Sequence, residues 1–197
     1  MSLRARAGAQ ICLLFLAGGI VAGCASPRTK VTGAGAPAAS LQAWEAAGRL
    51  GVAAGGQGGS GSFLWQQSGE RSLIRLSGPV GVGALEVELD AATLRVATSD
   101  GRSLESEAAR RELDARLGAA IPARNLRHWM IGLPAPGPHR WYRDAQGRQV
   151  LEQDGWRIEY GDFAMSGATQ LPTRLTATAG DTRVRVVVDR WNLAVEP

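Results

Sequence analysis

Apolar positions recur every second residue along most of this chain, and every third or fourth residue along one stretch in its second half. Leu50 and Val52 alternate with small residues, Phe63 and Trp65 with Ser62 and Leu64, and Ile74 and Leu76 with Leu73 and Arg75. Leu85, Val87 and Leu89 against Ala84, Glu86 and Glu88 approach a pure period of two, and Leu94 and Val96 follow. A period of two places alternate side chains on opposite faces of a strand, so these runs predict half-buried strands. The glycine-rich stretch Gly55 to Gly61 predicts a loose hairpin turn between the first two. Leu41 to Ala47 predicts a short helix, with Ser40 as its N-cap and Trp44 on its apolar side.

At Leu104 the period changes. Ala109, Leu113 and Leu117 recur at four-residue spacing among Glu105, Arg110, Arg111, Glu112, Asp114 and Arg116, which predicts one amphipathic helix ending near Gly118. Pro122 suits the first turn of a second helix carrying Leu126, Trp129, Met130 and Leu133. Pro134 to Pro138 reads as a loop. Period two then returns in Val150–Leu151, in Trp156, Ile158 and Tyr160, in Leu171 to Thr178, and in Val184, Val186 and Val188 up to Trp191. The order is strands, a helical insert, then strands, with no internal repeat. That order predicts a mainly β fold: one antiparallel sheet, strongly curved, with the helices over its concave face.

The N-terminus has a different logic. Arg4 and Arg6 precede an apolar run from Ala7 to Ile20, and Ile20-Val21-Ala22-Gly23-Cys24 has the branched–small–small–Cys pattern of a lipobox. The run has 14 residues, so as a helix it reaches about 21 Å, short of the ~30 Å of a bilayer core. We therefore read residues 1–23 as a lipoprotein signal peptide, and Cys24 as the acylated first residue, carrying covalent acyl and diacylglyceryl groups. Residues 24–40 are small, polar and rich in Pro and Gly, and read as a flexible tether. Residues 41–197 form the domain.

Composition narrows the chemistry. The net charge is +4, and Arg4 and Arg6 supply two of those charges, leaving +2 without the leader. The remaining Arg residues are interleaved with acids, which fits solvated strand faces and gives no basis for a nucleic-acid partner. The two cysteines are Cys12 and Cys24, so the domain carries neither disulfide nor free thiol. Two histidines, His128 and His139, are too few for a His-rich metal site. No nucleophile elbow, phosphate-binding lysine loop or H-E-x-x-H is present, and we assign no catalytic residue, no metal and no cofactor.

Two features invite a binding role. Trp65, Trp129 and Trp156 occupy apolar phases of three segments, which suits either an ordinary core or the wall of a ligand cavity. Ser77-Gly78-Pro79-Val80-Gly81-Val82-Gly83 joins two strands, yet it is apolar where turns are polar. It reads either as a tucked Pro-Gly turn or as an exposed prong that dips into a bilayer.

These residues resemble the LolB family of outer-membrane lipoprotein receptors. The resemblance is carried by Phe63-Leu64-Trp65-Gln66-Gln67-Ser68-Gly69, by Leu76 to Gly81 with Leu85 to Leu89, and by Leu126 to Pro134 with its Trp-x-x-Gly-Leu-Pro element. Gly155 to Gly161 and Asp189-Arg190-Trp191 fit as well. The resemblance implies an open, unclosed antiparallel β-barrel with an α-helical lid over an apolar cavity, and no enzyme activity. It implies a receptor that takes triacylated lipoproteins from a LolA-like periplasmic carrier and places them in outer-membrane lipid, without nucleotide. By position it implies Trp65, Trp129, Met130 and Trp156 at the acyl-chain cavity, and Pro79, Val80 and Gly81 in the membrane-insertion loop. Val80 stands where the family has leucine, and one methylene fewer weakens insertion by roughly 0.8 kcal/mol. We expect a monomer, lipid-anchored on the periplasmic face of the outer membrane. Ala25 after Cys24 agrees with that destination. A structural envelope lipoprotein with a solid core and a scaffolding role is the alternative the pattern leaves open. If the cavity must open, the helical insert should be held less firmly than the sheet.

Overall fold

The computed structural model describes residues 36–78 and 83–193. The signal peptide, Cys24, most of the tether, and Pro79, Val80 and Gly81 lie outside the described residues. After a four-residue helix α1 (Ala36–Ala39) the chain runs through six strands: β1 (Ala43–Ala54), β2 (Gln57–Ser68), β3 (Arg71–Ser77), β4 (Leu85–Leu89), β5 (Leu94–Thr98) and β6 (Ser103–Glu105). The helices α2 (Ser106–Leu117) and α3 (Ala123–Met130) follow. Seven strands complete the chain: β7 (His139–Arg143), β8 (Gln149–Gln153), β9 (Trp156–Tyr160), β10 (Phe163–Ser166), β11 (Thr169–Pro172), β12 (Arg174–Ala179) and β13 (Thr182–Asn192).

Eleven strands form one antiparallel sheet in the order β6-β5-β4-β3-β2-β1-β13-β12-β9-β8-β7, and β10 and β11 pair separately. The single antiparallel sheet that the period-two pattern predicts is the unclosed barrel that the resemblance implies. Its two open edges, β6 and β7, are the strands that flank the helical insert in sequence. The chain therefore crosses the gap in the barrel with helices rather than with a strand.

The inward face follows the alternation. Trp44 and Ala46 of β1, Phe63 and Trp65 of β2, Val87 of β4 and Val184 and Val186 of β13 are all buried. The outward face carries the interleaved charges. Glu88 lies between Arg71 and Arg95, Arg95 reaches Glu105 at 2.7 Å, and Arg75 meets Glu86 at 2.8 Å. These pairs are exposed cross-strand contacts of small individual value.

Three expectations need correction. Leu41 to Ala47 is not a helix: β1 begins at Ala43 and is paired on both sides, with β2 and β13. Trp44 and Ala46 then fall on the inward face, which a helix would not give. The glycine stretch is not all turn. The reversal is confined to Gly55 and Gly56, and Gly58, Gly59 and Gly61 are paired residues of β2. Leu171 to Thr178 is not one strand; it is divided after Pro172 between β11 and β12.

Glycine is required where β1 shifts register against β13, between Ala47 and Gly48. A Cβ on Gly48 would lie 2.0 Å from the Val187 carbonyl oxygen. The predicted helix end also holds: Gly118 has φ 71°, the left-handed conformation that closes α2.

Candidate functional site: an apolar cavity under two unequal helices

The concave face of the sheet and the two helices line a small, partly open apolar cavity of about 60 Å³. Phe63, Trp65, Ile74 and Val87 line it from the sheet, Leu113 and Leu117 from α2, and Leu126 and Met130 from α3. Every side chain that lines it is apolar. The volume is far below the ~300 Å³ at which ligand pockets begin, so the leucines of α2 and the residues of α3 fill most of the space.

The helices are held very differently. The Gln153 side chain clamps the end of α3: its Oε1 accepts from Trp129 Nε1 at 3.0 Å and from the Ala135 amide at 2.9 Å, and its Nε2 donates to the Ala135 carbonyl at 2.7 Å. The Tyr160 hydroxyl donates to the Trp129 carbonyl at 3.0 Å. Complete burial pushes the Tyr160 phenol well above its ordinary pKa, so it remains a donor. Arg124 donates to the carbonyls of Asp90 and Ala91 at 2.8 and 2.7 Å, and Arg127 reaches the Glu70 carboxylate at 2.6 Å. Asn125 donates to Asp154 at 2.7 Å. A helix of eight residues is thus tied to three hairpin turns and to a buried amide. Among these residues His128, half-buried beside Arg127, has its pKa lowered, by burial first and by the neighbouring cation second.

By contrast α2 buries Ala109 and Leu113 and lies against β5 and β6. Its polar link to the sheet is Arg102, which reaches Glu112 at 3.3 Å, and Glu112 also meets Arg116 of the same helix at 2.9 Å. Its first residue, Ser106, has φ 51°, a conformation that is costly outside glycine. Among the described residues the polar ties of the insert concentrate on α3, while α2 is held chiefly by apolar packing.

Of the residues expected at the cavity, Trp65 and Met130 line it. Trp129 and Trp156 pack against each other, ring centroids 6.0 Å apart, outside the lining. Trp129 is fully buried and its indole is committed to Gln153. Cys24, Pro79, Val80 and Gly81 lie outside the described residues. Sequence reasoning passed over Gln153, Tyr160 as a hydrogen-bond donor, and Gln67. Gln67 accepts from Trp65 Nε1 at 3.1 Å and from the Ser72 hydroxyl at 2.6 Å, fixing the Trp65 ring over the cavity. The signal was available, because Gln67 falls on the inward phase of its strand, two residues beyond Trp65. Among the described residues no cluster of three or more His, Cys, Asp or Glu is placed to hold a metal ion.

An unclosed antiparallel barrel, bridged by helices over an apolar interior, is a fold that offers apolar surface. The same architecture is seen in a solved protein of the DUF1329 family from Desulfovibrio piger, with a TM-score of 0.51 at 10% identity, over 82% of this chain and 89% of that one. The chain belongs to the LolB family: the family model described as outer membrane lipoprotein LolB matches residues 42–191. The outer-membrane lipoprotein LolB of Azoarcus sp. is 31% identical over 92% of this chain and 94% of its own length. That of Pseudomonas aeruginosa is 39% identical over 77% of this chain and 75% of its own. The protein is an outer-membrane lipoprotein.

Proposed function

We propose that this protein accepts acylated lipoproteins from a soluble, LolA-like periplasmic carrier and inserts them into the outer membrane, without nucleotide and without chemistry on the load. The observation that carries the reading is the apolar cavity bordered by α2, the helix with the fewer polar ties to the rest of the fold among the described residues. Each methylene withdrawn from water is worth ~0.8 kcal/mol, so one chain of about sixteen carbons carries on the order of 12 kcal/mol. No such chain crosses the periplasm bare. A receptor that offers slightly more apolar burial than the carrier, and less than the bilayer, makes transfer downhill at both steps. Displacing Leu113 and Leu117 makes room for acyl chains, and the aromatic and methionine surface left behind, Phe63, Trp65 and Met130, suits flexible chains of variable packing. We further assign Cys24 as the acylated anchor and Pro79, Val80 and Gly81 as the loop that touches the bilayer.

The test separates acceptance from delivery. The mature chain with Val80→Glu should take a fluorescent lipoprotein from its carrier as fast as the parent, yet fail to pass it to liposomes. Unchanged delivery would remove Val80 from the membrane step. If the parent chain accepts no lipoprotein at all, the receptor reading fails and the scaffolding role takes its place.

A further inference from the structure

The glycine-rich ends of β1 to β3 border a second space that the reading above does not use. It is a groove of about 420 Å³ between those strand ends and the C-terminal half of α2. It shares Leu50, Leu76 and Leu117 with the apolar cavity, so the two spaces adjoin across these side chains. Their chemistry differs. The groove adds Gln57 and the Glu112–Arg116 pair to the leucines it shares with the cavity, while Ser60, Ser62 and Ser77 take the outward phases of their strands, where Ser62 Oγ lies 3.0 Å from Ser77 Oγ.

Three observations give the groove a role. The first is its position. In an antiparallel meander alternate connections share one end of the sheet. The β2–β3 and β4–β5 turns, to which Arg127 and Arg124 tie α3, therefore lie at one end. The β1–β2 turn and the β3–β4 connection lie at the other. The firmly held helix closes one end, and the groove opens at the opposite one. The second is the bare floor. Gly59 and Gly61 take inward phases of β2, where Phe63 and Trp65 further along carry large side chains. A Cβ on Gly61 would lie 2.5 Å from the Ser77 carbonyl oxygen, and one on Gly78 2.8 Å from that of Ser60. Glycine thus draws β2 and β3 together and leaves the groove unfilled. The third is continuity with the β3–β4 connection. Gly78 lines the groove, and a Cβ on Gly83 would lie 3.6 Å from Arg116 Nη1, another groove residue. Both anchor points of residues 79–82 are therefore at its rim.

We infer that this groove is the portal of the cavity and holds the glyceryl-cysteine junction of the incoming lipoprotein, an inference that rests on the receptor reading. The junction carries ester and amide carbonyls, which accept from the Arg116 guanidinium, while its acyl chains run past Leu50, Leu76 and Leu117 into the interior. The space falls within the ~300–1,000 Å³ of small-molecule sites. A load seated there has its head near Gly78 and Gly83, the described residues that flank the segment assigned to the bilayer.

The experiment uses the mature chain with a benzophenone amino acid at exposed Ala115, in the groove wall, or at Arg140 on the far edge strand β7, whose side chain is 70% exposed. The probe is a synthetic tripalmitoyl-cysteinyl peptide, uncharged beyond its cysteine, with displacement of a cavity-bound dye as an independent measure of uptake. Capture at Ala115 should exceed that at Arg140 by about tenfold, corresponding to ~1.4 kcal/mol of preferred placement. The adduct should map to the glyceryl or peptide part. Equal capture at the two positions, or adducts at Ala115 confined to the acyl ends, overturns the portal while dye displacement leaves the receptor standing. Absence of dye displacement by the parent chain overturns both.

Discussion

Gln153→Leu isolates the clamp on α3. The side chain is 3% exposed and makes three hydrogen bonds at 2.7–3.0 Å. Leucine keeps the approximate volume and removes all three, leaving the Trp129 indole N–H, the Ala135 amide and the Ala135 carbonyl buried without partners. Each orphaned group costs about 1–3 kcal/mol. Leucine regains roughly 1–2 kcal/mol through its own apolar burial. The net loss should be about 3 kcal/mol, a large share of the 5–15 kcal/mol typical of a domain. With a urea m-value of about 1–3 kcal/mol/M, the midpoint followed by tryptophan fluorescence should fall by roughly 1–2 M. Amide exchange along α3 should accelerate toward that of α2 in the same variant. A loss under about 1 kcal/mol, with α3 amides no faster than in the parent, would refute the claim that this amide holds the helix.

Two other perturbations follow from particular atoms. Gly48→Ala should destabilise by about 2 kcal/mol or more, because its Cβ would meet backbone at 2.0 Å, whereas Gly51→Ala, whose nearest neighbour is a carbonyl oxygen at 3.9 Å, should be close to neutral. Thermal melts of the two variants check the order, and equal losses would contradict it. His128 has its folded pKa below the unfolded value near 6.5, so the unfolded state binds the extra proton. Its contribution is fully present above that unfolded pKa and is lost as pH falls through the folded one. Chemical denaturation at descending pH should show stability dropping below about 6.5 in the parent and a smaller drop in His128→Gln. Identical slopes would remove His128 as the cause.

Much of the fold was legible because burial imposes a period. Leu85 to Leu89 and Val184 to Val188 face a core on one side and water on the other, and Ala109, Leu113 and Leu117 make one stripe. Legibility ended where another constraint outweighed the local pattern. Leu41 to Ala47 has helix-forming composition, but its backbone is taken up by pairing with β2 and β13, and strand preference depends on such neighbours more than on the segment itself. Gly58 to Gly61 look like a turn because glycine commonly makes one. Here they serve close approach between strands. The edge strands β6 and β7 and the β10–β11 pair alternate weakly, since each lacks a neighbour on one side or stands apart from the main sheet. For the site, apolar phase left core and cavity wall open for the tryptophans, and in the structure Trp65 and Met130 border the apolar space. It did not distinguish them from Trp129 and Trp156, whose depth is set by Gln153 and by ring contact.

The unequal helices give the receptor reading its physical economy. A lid that lifted as one piece would break the Gln153, Tyr160, Arg124, Arg127 and Asn125 contacts together, a cost comparable to unfolding the domain. Moving α2 alone breaks chiefly the Arg102–Glu112 pair and the packing of Ala109, Leu113 and Leu117. Acyl chains replace that leucine packing with packing of the same kind. The free energy needed to open is therefore returned when the load enters, and is required again from the bilayer when the load leaves. On this argument the strength of α2 packing sets the balance between accepting and releasing. A helix bound too firmly refuses the carrier's load, and one bound too loosely exposes the cavity to water. On the receptor reading, the one salt link and the two buried side chains that α2 shows among the described residues set it between these limits.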